Sequence, residues 1–401
     1  MVQRTRQSVR RKVSDATSRT WDVLVFQGGG ALGAYEAGAY GALAEKGWTF
    51  DVLAGVSIGA ANAAIVASRG KEATTYLGRF WDALSDPIAE SLAPSEVARR
   101  QLAAWKSVYL GNPAMFQPRW MSGPWGLGGP MEWTSLYDPA PYRRLLEKMV
   151  DFPALHDGAS RLIVTAVDVQ SGELRGFDSH TERLGVEHLL ASGALPPAFP
   201  AVKVGDRYYW DGGLVSNTPA RKVLEVLPHS DHRRVVMVEL FPRHHRLPRN
   251  LPEALSTLKD LTYMRKLDLD SEEAARDSEF HLVMDECLAS LPKADRERLA
   301  RLPELSSTLL RHRHHVDLYL LTHSGEDGEL ESKDYDFSPT TLRMHRKEGR
   351  RSAEEALLRW EKRADFEPFR AHGAATAPPS ARGDYLPPAA PGPVAPRATA
   401  R

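Results

Sequence analysis

The sequence lacks the marks of several protein classes. Its 401 residues include one cysteine, Cys287, so no internal disulfide can form, which fits a reducing compartment. It has no apolar run of about 18 residues or more, and its basic N-terminus is not followed by the apolar stretch of a secretory signal. Lys plus Arg equals Asp plus Glu at 52 each, which argues against a nucleic-acid partner. We therefore expect a cytoplasmic protein, with membrane contact at most peripheral.

Composition divides the chain into four segments. Residues 1–20 form a basic arm and residues 371–401 an Ala/Pro-rich tail. We expect both to be disordered, because they carry too little apolar surface to offset the entropy of ordering. Between them, residues 21–242 alternate short apolar runs with Ala-rich segments, and residues 243–370 are mostly charged and helical in pattern. This predicts an α/β domain over residues 21–242, followed by a mostly helical extension over residues 243–370.

The α/β prediction depends on how the apolar runs are spaced. Strands alternating with helices favour a mainly parallel central sheet. Predicted strands are Trp21–Gln27, Val52–Val56, Arg161–Gln170, Leu174–Asp178 and Arg234–Leu240, with helices at Gly33–Lys46 and Ile58–Ser68. In the extension, helices are predicted at Glu253–Lys266, Ser271–Leu291, Ala294–Leu310 and Ser352–Arg363, with one strand-like run at Val316–Thr322. The Trp-rich stretch Trp105–Trp133 is predicted to be irregular, either a lid or a loop packed on the body.

A glycine-rich turn follows the first predicted strand and opens the first helix. It reads Gly28-Gly29-Gly30-Ala31-Leu32-Gly33. Glycines let a backbone approach a ligand closely, and the start of a helix leaves amide groups unpaired. Such a turn can bind a phosphate or the oxyanion of an acyl-transfer intermediate. The spacing also fits a dinucleotide-binding fingerprint, so a nucleotide-dependent oxidoreductase is one alternative.

The second motif is Gly55-Val56-Ser57-Ile58-Gly59, at a predicted strand-to-helix junction. A nucleophilic serine on such a sharp turn needs small neighbours, and Gly55 and Gly59 supply the room. The amide of Ile58 follows the serine and is placed to donate to an oxyanion. A dinucleotide-binding domain needs an acidic residue at the end of its second strand. Here Asp51 stands before the second predicted strand, Val52–Val56, and that strand leads directly into the serine motif, which disfavours the oxidoreductase.

The third motif is Asp211-Gly212-Gly213, after a hairpin-like segment at Val202–Trp210. The two glycines let the carboxylate be presented without crowding, although an Asp-Gly pair is also common in ordinary hairpin turns. Asn217 and Pro219 are predicted to start the next helix as its cap and first-turn residue.

Taken in order, the three motifs resemble those of the patatin-like phospholipases, and the segment 191–202 resembles the stretch that precedes the Asp-Gly-Gly of that family. The extension is similar to that of one bacterial branch of the family. The resemblance implies a three-layer fold and a carboxylic ester hydrolase of lipids, with Ser57 as nucleophile and Asp211 as base. It implies an oxyanion hole from the amides of Gly28, Gly29 and Gly30. Many relatives carry Arg or Lys where this chain has Leu32, so a neutral lipid ester is as plausible a substrate as a phospholipid.

Other arrangements remain open from the sequence. His180 or His188 could complete a Ser-His-Asp triad with Asp168, and an inactive interaction protein could keep the same fold. Neither a cofactor nor a metal site is predicted. The run Arg311-His312-Arg313-His314-His315 interleaves cations with imidazoles and has no acidic or Cys partner nearby, and the pair at 244–245 gets the same interpretation. The oligomeric state and the particular lipid ester are not set by the sequence.

Overall fold

The structure is a computed structural model of the chain. It describes residues 19–87, 95–121, 134–227, 232–242, 247–251, 253–264, 287–288, 290–300, 315–323, 325, 334–362, 366 and 368–369. Nearly all of the predicted basic arm, the whole Ala/Pro-rich tail, and the histidine pair at 244–245 lie outside these residues.

A mixed, mainly parallel sheet of eight strands forms the centre of the molecule. Its order is β10-β9-β1-β2-β5-β8-β7, with β6 also paired to β5. Strands β10, β9, β1, β2 and β5 run parallel, and β6, β7 and β8 pair antiparallel. The strands are β1 Thr20–Phe26, β2 Val52–Gly55, β5 Arg161–Asp168, β6 Leu174–Asp178, β7 Val202–Val204, β8 Arg207–Asp211, β9 His232–Glu239 and β10 His315–Thr322. A separate small ribbon pairs β3 Gln117–Pro118 with β4 Tyr137–Asp138.

The helices begin and end close to the predicted positions in the first part of the chain. They are α1 Gly33–Glu45, α2 Ile58–Arg69, α3 Ala73–Leu84, α4 Glu96–Leu110, α5 Ala140–Met149, α6 Phe152–Asp157, α7 Val186–Ser192, α8 Ala220–Val226, α9 with helical residues at 253–264, α10 Lys293–Ala300 and α11 Pro339–Trp360. Helix α1 is buried on nearly all sides, which its Ala- and Gly-rich sequence allows because small side chains let neighbouring elements come close.

Helices cover both faces of the sheet, so the predicted three-layer α/β fold is confirmed. Along β1, Val23 and Val25 join a smaller apolar cluster that contains Val223 of α8. Leu24 and Phe26, which point to the opposite face, join the main core with α1, α2 and α3. This alternation follows from the two-residue period of a strand, and it explains why β1 is an unbroken apolar run.

The segment beyond residue 242 completes the sheet and packs on α1. Strand β10 lies beside β9 in parallel over eight residue pairs. Helix α11 crosses α1 so closely that a Cβ on Gly38 would overlap the Arg346 carbonyl oxygen, and a Cβ on Gly349 would overlap that of Tyr35. The predicted domain boundary at 242/243 stays a prediction, but the described part of the extension adds to the same core.

Three sequence predictions need correction. The stretch from Trp105 is not wholly irregular, because α4 continues through Leu110; the part at 122–133 lies outside the described residues. The last long helix begins at Pro339, not Ser352, and Ser338 caps it by accepting a hydrogen bond from the amide of Thr341. The predicted helix-capping role of Asn217 is also wrong, because Pro219 occupies the cap of α8 without a side-chain hydrogen bond.

Candidate active site

Ser57 lies on a strained turn between β2 and α2. Its φ of 56° makes it the single non-glycine residue with positive φ in the described part of the chain. Such a backbone costs roughly 1–3 kcal/mol and persists where the surroundings enforce it. A Cβ on Gly55 would overlap the carbonyl oxygen of Gly59, and a Cβ on Gly59 would overlap that of Gln27. The two glycines of the motif are therefore required by close backbone contacts, as the sequence predicted.

The glycine-rich turn faces the serine. A Cβ placed on Gly28 would lie 3.0 Å from the Cβ of Ser57, and Gly30 has a φ of 57°. No hydrogen bond to another residue takes up the amides of Gly28, Gly29, Gly30 or Ile58 in the described structure. These predicted oxyanion donors are thus available, as the first amides of a helix usually are. Gly33 begins α1, where a Cβ would come 2.8 Å from Ile58 Cγ2.

Asp211 ends β8 at the same edge of the sheet. It pairs with Ala166 of β5, and β5 lies between β8 and the strand that leads to Ser57. Its side chain is buried, and Oδ1 accepts a 2.7 Å hydrogen bond from the amide of Gly213. A Cβ on Gly212 would lie 2.9 Å from Val56 Cγ2. The residues next to the two candidate catalytic groups are therefore in contact.

Two residues whose roles here the sequence analysis did not predict connect these loops. Asn217 donates from Nδ2 to the carbonyl oxygen of Gly28 at 3.0 Å. Ser192, at the end of α7, accepts from the amide of Ser57 at 2.9 Å and donates to the carbonyl oxygen of Thr165 at 2.8 Å. The sequence carried one signal for Ser192, since it falls in the segment that resembles the family. Asn217 gave none beyond its closeness to Asp211 in the chain.

A buried polar group beneath the glycine-rich turn fixes where it starts. Glu36 Oε1 accepts from the amide of Gln27 at 2.7 Å, and Oε2 accepts from Nδ2 of Asn62 at 2.9 Å. Burial raises the pKa of Glu36 well above its ordinary value, despite these two hydrogen bonds, which act in the opposite direction. The side chain of Gln27 in turn donates from Nε2 to the hydroxyl of Thr218 and accepts at Oε1 from the amide of Leu240. This network joins three strand ends around the candidate site.

Two tyrosines lie near enough to Asp211 for its charge to act on them. Burial first, and the charge of Asp211 second, raise the pKa of Tyr142 far above its ordinary value. The same two causes in the same order, followed by the charge of Asp334, raise the pKa of Tyr263 to about 12. Both phenols therefore stay protonated at neutral pH and neither can serve as a base there.

The alternative triad is not assembled. Asp168 accepts from Arg207 at 3.0 Å and from the turn amides of Gln170 and Ser171. His188 is buried against the ring of Phe177, and its Nδ1 accepts from the amide of Gly185 at 2.9 Å. The side chain of His180 is largely exposed, and its pKa is lowered first by partial desolvation and second by the nearby charge of Arg161. The structure brings neither His180 nor His188 to Asp168.

The dinucleotide alternative also lacks its acidic residue. Asp51 precedes β2, at the end of the strand away from the glycine-rich turn. Its carboxylate accepts from Arg19 and from the amide of Asp22, both at 3.0 Å. The Asp51 carboxylate therefore lies at the end of the sheet where β1 and β2 begin, whereas the turn that would bind a nucleotide lies at the end where β1 stops.

Leu32 needs a different interpretation from the one suggested by the sequence. Its side chain is fully buried in the main core, and its Cβ lies 3.4 Å from the position that a Cβ on Gly29 would take. It packs inward instead of lining the site. At this position the chain therefore has an apolar side chain that packs in the core, and no positive charge beside the site.

One group of described side chains could bind a metal ion. His323, His345 and Glu348 are all buried, and their candidate ligand atoms lie within 4.8 Å of one another. Nε2 of His323 lies 3.0 Å from Oε2 of Glu348. These residues belong to the end of β10 and to α11, not to the loops that hold Ser57. The group has ligand chemistry typical of zinc, and two of its members also lie within pairing distance of each other.

The geometry defines a class: an α/β protein with a serine on a strained strand-to-helix turn that faces a glycine-rich loop, typical of serine acyl hydrolases. A family model described as patatin-like phospholipase matches residues 24–224, and one described as patatin phospholipase matches residues 261–368. The chain therefore belongs to the patatin-like phospholipase family, a family of lipid acyl hydrolases.

Individual relatives are distant. No curated protein matches the chain. Among solved structures, VipD from Legionella pneumophila is 14% identical with a TM-score of 0.36, over 88% of this chain and 73% of VipD. The type III effector ExoU is 16% identical with a TM-score of 0.31, over 86% of this chain and 55% of ExoU. In the described part of the chain, no helix combines the length and apolar character needed to cross a bilayer.

Proposed function

We propose that this protein is a serine acyl hydrolase that cleaves carboxylic esters of lipids, with Ser57 as nucleophile and Asp211 as base. The observation that carries the proposal is the backbone of Ser57. Its φ of 56° is enforced by the close contacts of Gly55 and Gly59, and the residue faces a turn whose amides are available as donors. A fold has little reason to hold a serine in this conformation unless its hydroxyl must be presented.

In the first half of the proposed reaction, Asp211 takes the proton of the Ser57 hydroxyl as Oγ attacks the ester carbonyl carbon. The carbonyl oxygen becomes an oxyanion between the amides of Gly28–Gly30 and that of Ile58. One such donor is worth roughly 3–4 kcal/mol, so these amides supply much of the rate. The C–O bond to the alcohol then breaks, and the alcohol leaves with the proton returned from Asp211. An acyl-enzyme remains on Ser57.

In the second half, Asp211 takes a proton from a water molecule that attacks the acyl-enzyme. The same amides hold the second oxyanion, and collapse releases the carboxylic acid and restores the Ser57 hydroxyl. The hydroxyl of Ser57 forms no hydrogen bond with a residue of the described structure. The proposal therefore requires that its hydrogen bond to Asp211 form when substrate binds, as catalytic hydrogen bonds often do. Contact between Val56 and Gly212 supports this, because it keeps the two groups on adjoining loops.

The substrate class follows from the family and from Leu32. The side chain of Leu32 is in the core, so no fixed cation enters the site at that position. A neutral lipid ester carries no phosphate that would need a cation in the site. The carboxylic ester bond of a phospholipid would be attacked by the same steps, so both kinds of ester fit the proposal.

Two substitutions test this function directly. Ser57→Ala and Asp211→Asn should each lower kcat/KM for p-nitrophenyl butyrate at least about 10⁴-fold, since each removes a group that acts in the transition state. Asp168→Asn and His180→Ala are matched controls, and both should retain turnover. Retained turnover in Asp211→Asn would refute the dyad, and a large loss in His180→Ala would favour the triad instead.

A further inference from the structure

A pocket of about 350 Å³ lies beside the candidate active site, between helix α9 and the loop that follows Asp211. It is lined by Leu214, Leu255, Leu258, Lys259, Thr262 and Tyr263. Leu255 and Leu258 are 59% and 63% exposed, and Leu214 is 38% exposed. A contiguous row of exposed leucines around a pocket usually marks a binding surface, because water contact with large apolar groups is unfavourable.

Close approaches between neighbouring residues place this pocket near the serine. A Cβ on Gly213 would lie 3.8 Å from Tyr263 Cε1 and 3.0 Å from Asn217 Oδ1. The same oxygen of Asn217 would lie 2.8 Å from a Cβ on Gly28, which would itself touch the Cβ of Ser57. The pocket therefore begins next to the Asp-Gly-Gly loop, and Asn217 links that loop to the turn that faces Ser57.

The charge of the pocket favours an apolar occupant. Lys259 is its single charged lining residue among those described, and it forms an ion pair with Asp334. The carbonyl oxygen of Asp334 accepts from the amide of Ala31 at 2.8 Å. The ion pair thus neutralises the ammonium group and also ties α9 to the glycine-rich turn. The other lining residues are leucines, Tyr263 and Thr262, whose hydroxyl donates to the carbonyl oxygen of Leu258. With the aliphatic stem of the lysine, this lining suits a hydrocarbon chain.

We propose that this pocket binds the fatty acyl chain of the ester that Ser57 attacks, so that the extension supplies the chain-length preference of the enzyme. The inference rests on the function proposed above and adds its specificity-determining residues. An ester with a short acyl group reacts at Ser57 without reaching α9, whereas a long acyl chain is buried against Leu255 and Leu258. Each methylene buried in this way is expected to raise kcat/KM about fourfold until the pocket is filled.

The test compares p-nitrophenyl butyrate with p-nitrophenyl laurate, both below the concentration at which they form micelles. In the full chain, Leu255→Asp and Leu258→Asp should each lower kcat/KM for laurate about tenfold or more and leave butyrate within about twofold. Leu258→Trp should also lower laurate turnover by filling the pocket without adding charge. Leu358→Asp, at an equally exposed leucine of α11, is the matched control and should change neither ester.

The outcomes are distinct. If wild type cleaves butyrate, Ser57→Ala does not, and the leucine variants keep the wild-type ratio of the two esters, the pocket proposal is overturned while the function stands. If those variants keep that ratio but lose binding to phosphatidylcholine vesicles, the leucines contact a lipid surface and not the acyl chain. If wild type cleaves neither ester, the function fails and the pocket proposal fails with it. The substitutions should leave the fold intact, because Leu255 and Leu258 are exposed, and circular dichroism of each variant checks this.

Discussion

The loops around Ser57 and the seam between α1 and α11 both depend on glycines that approach a backbone, yet only one of them could be recognised from the sequence. At the serine, Gly55 and Gly59 contact residues within the same turn or on the neighbouring strand. At the seam, Gly38 meets Arg346 and Gly349 meets Tyr35, more than 300 positions away along the chain. A short motif such as the one around Ser57 can be recognised from neighbouring residues. A close crossing of two helices depends on residue pairs far apart in the chain, and the periodicity of one segment does not reveal its partner.

The largest expected effect on stability is at Leu32, in the loop region. Leu32→Lys places a charge at a position that is fully buried in the main core, so it should cost about 3–5 kcal/mol as an uncompensated buried charge. Urea unfolding measures this loss. Leu32→Met, which keeps volume and apolar character, should cost less than about 1.5 kcal/mol. Equal stability of wild type and Leu32→Lys would show that the side chain reaches solvent or the site.

The next largest effect is at the seam. Gly349→Ala puts a Cβ into the carbonyl oxygen of Tyr35, and backbone cannot move aside as a flexible side chain can, so we expect a loss of about 1–3 kcal/mol in unfolding free energy.

Gly78→Ala is the matched control for that seam substitution. Gly78 also lies inside a helix, α3, but a Cβ there meets nothing within 4 Å. This variant should stabilise the protein by roughly 0.5–1 kcal/mol, because alanine has the better helix propensity. If the two glycine variants change stability alike, helix α11 does not pack on α1 as described.

The last effect, no larger than that at the seam, concerns the buried hydrogen bonds of Glu36 under the glycine-rich turn and depends on pH. The pKa of Glu36 is raised by burial, so its favourable contribution is fully present below its ordinary pKa of 4.5 and is lost as the pH rises through the raised folded-state value. Wild-type stability should therefore fall from about pH 5 to about pH 8 more steeply than that of Glu36→Gln, which does not titrate.

Glu36→Gln should also cost about 1–3 kcal/mol at the lower pH, because its amide nitrogen would face Nδ2 of Asn62. Asn62 cannot turn over freely, since it donates to Gly33 and accepts from Trp81. Urea unfolding at both pH values checks the two effects together. Identical pH slopes for wild type and variant would show that Glu36 is not the titrating group.

Much of the fold could be predicted because its signals are local. Unbroken apolar runs identified the parallel strands, and the glycine motifs identified the turns that follow β1, β2 and β8. The start of α11 at Pro339 was missed because its first turns are polar and the capping serine gave the only cue. Asn217 was misread as a helix cap because the sequence could not show that its amide reaches Gly28, 189 positions away. The strand β10 was predicted, but its pairing with β9 was not, because the two strands are about 80 residues apart in the chain.

Covalent labelling of Ser57 tests the central claim most directly. The folded full chain should react with a fluorophosphonate probe, and mass spectrometry should find the adduct on Ser57. Labelling should be absent in Ser57→Ala and should disappear when wild type is unfolded in urea, because the free amides of the turn and the strained serine exist only in the fold. A folded wild-type protein that takes no adduct, or takes it at another serine, would contradict the account.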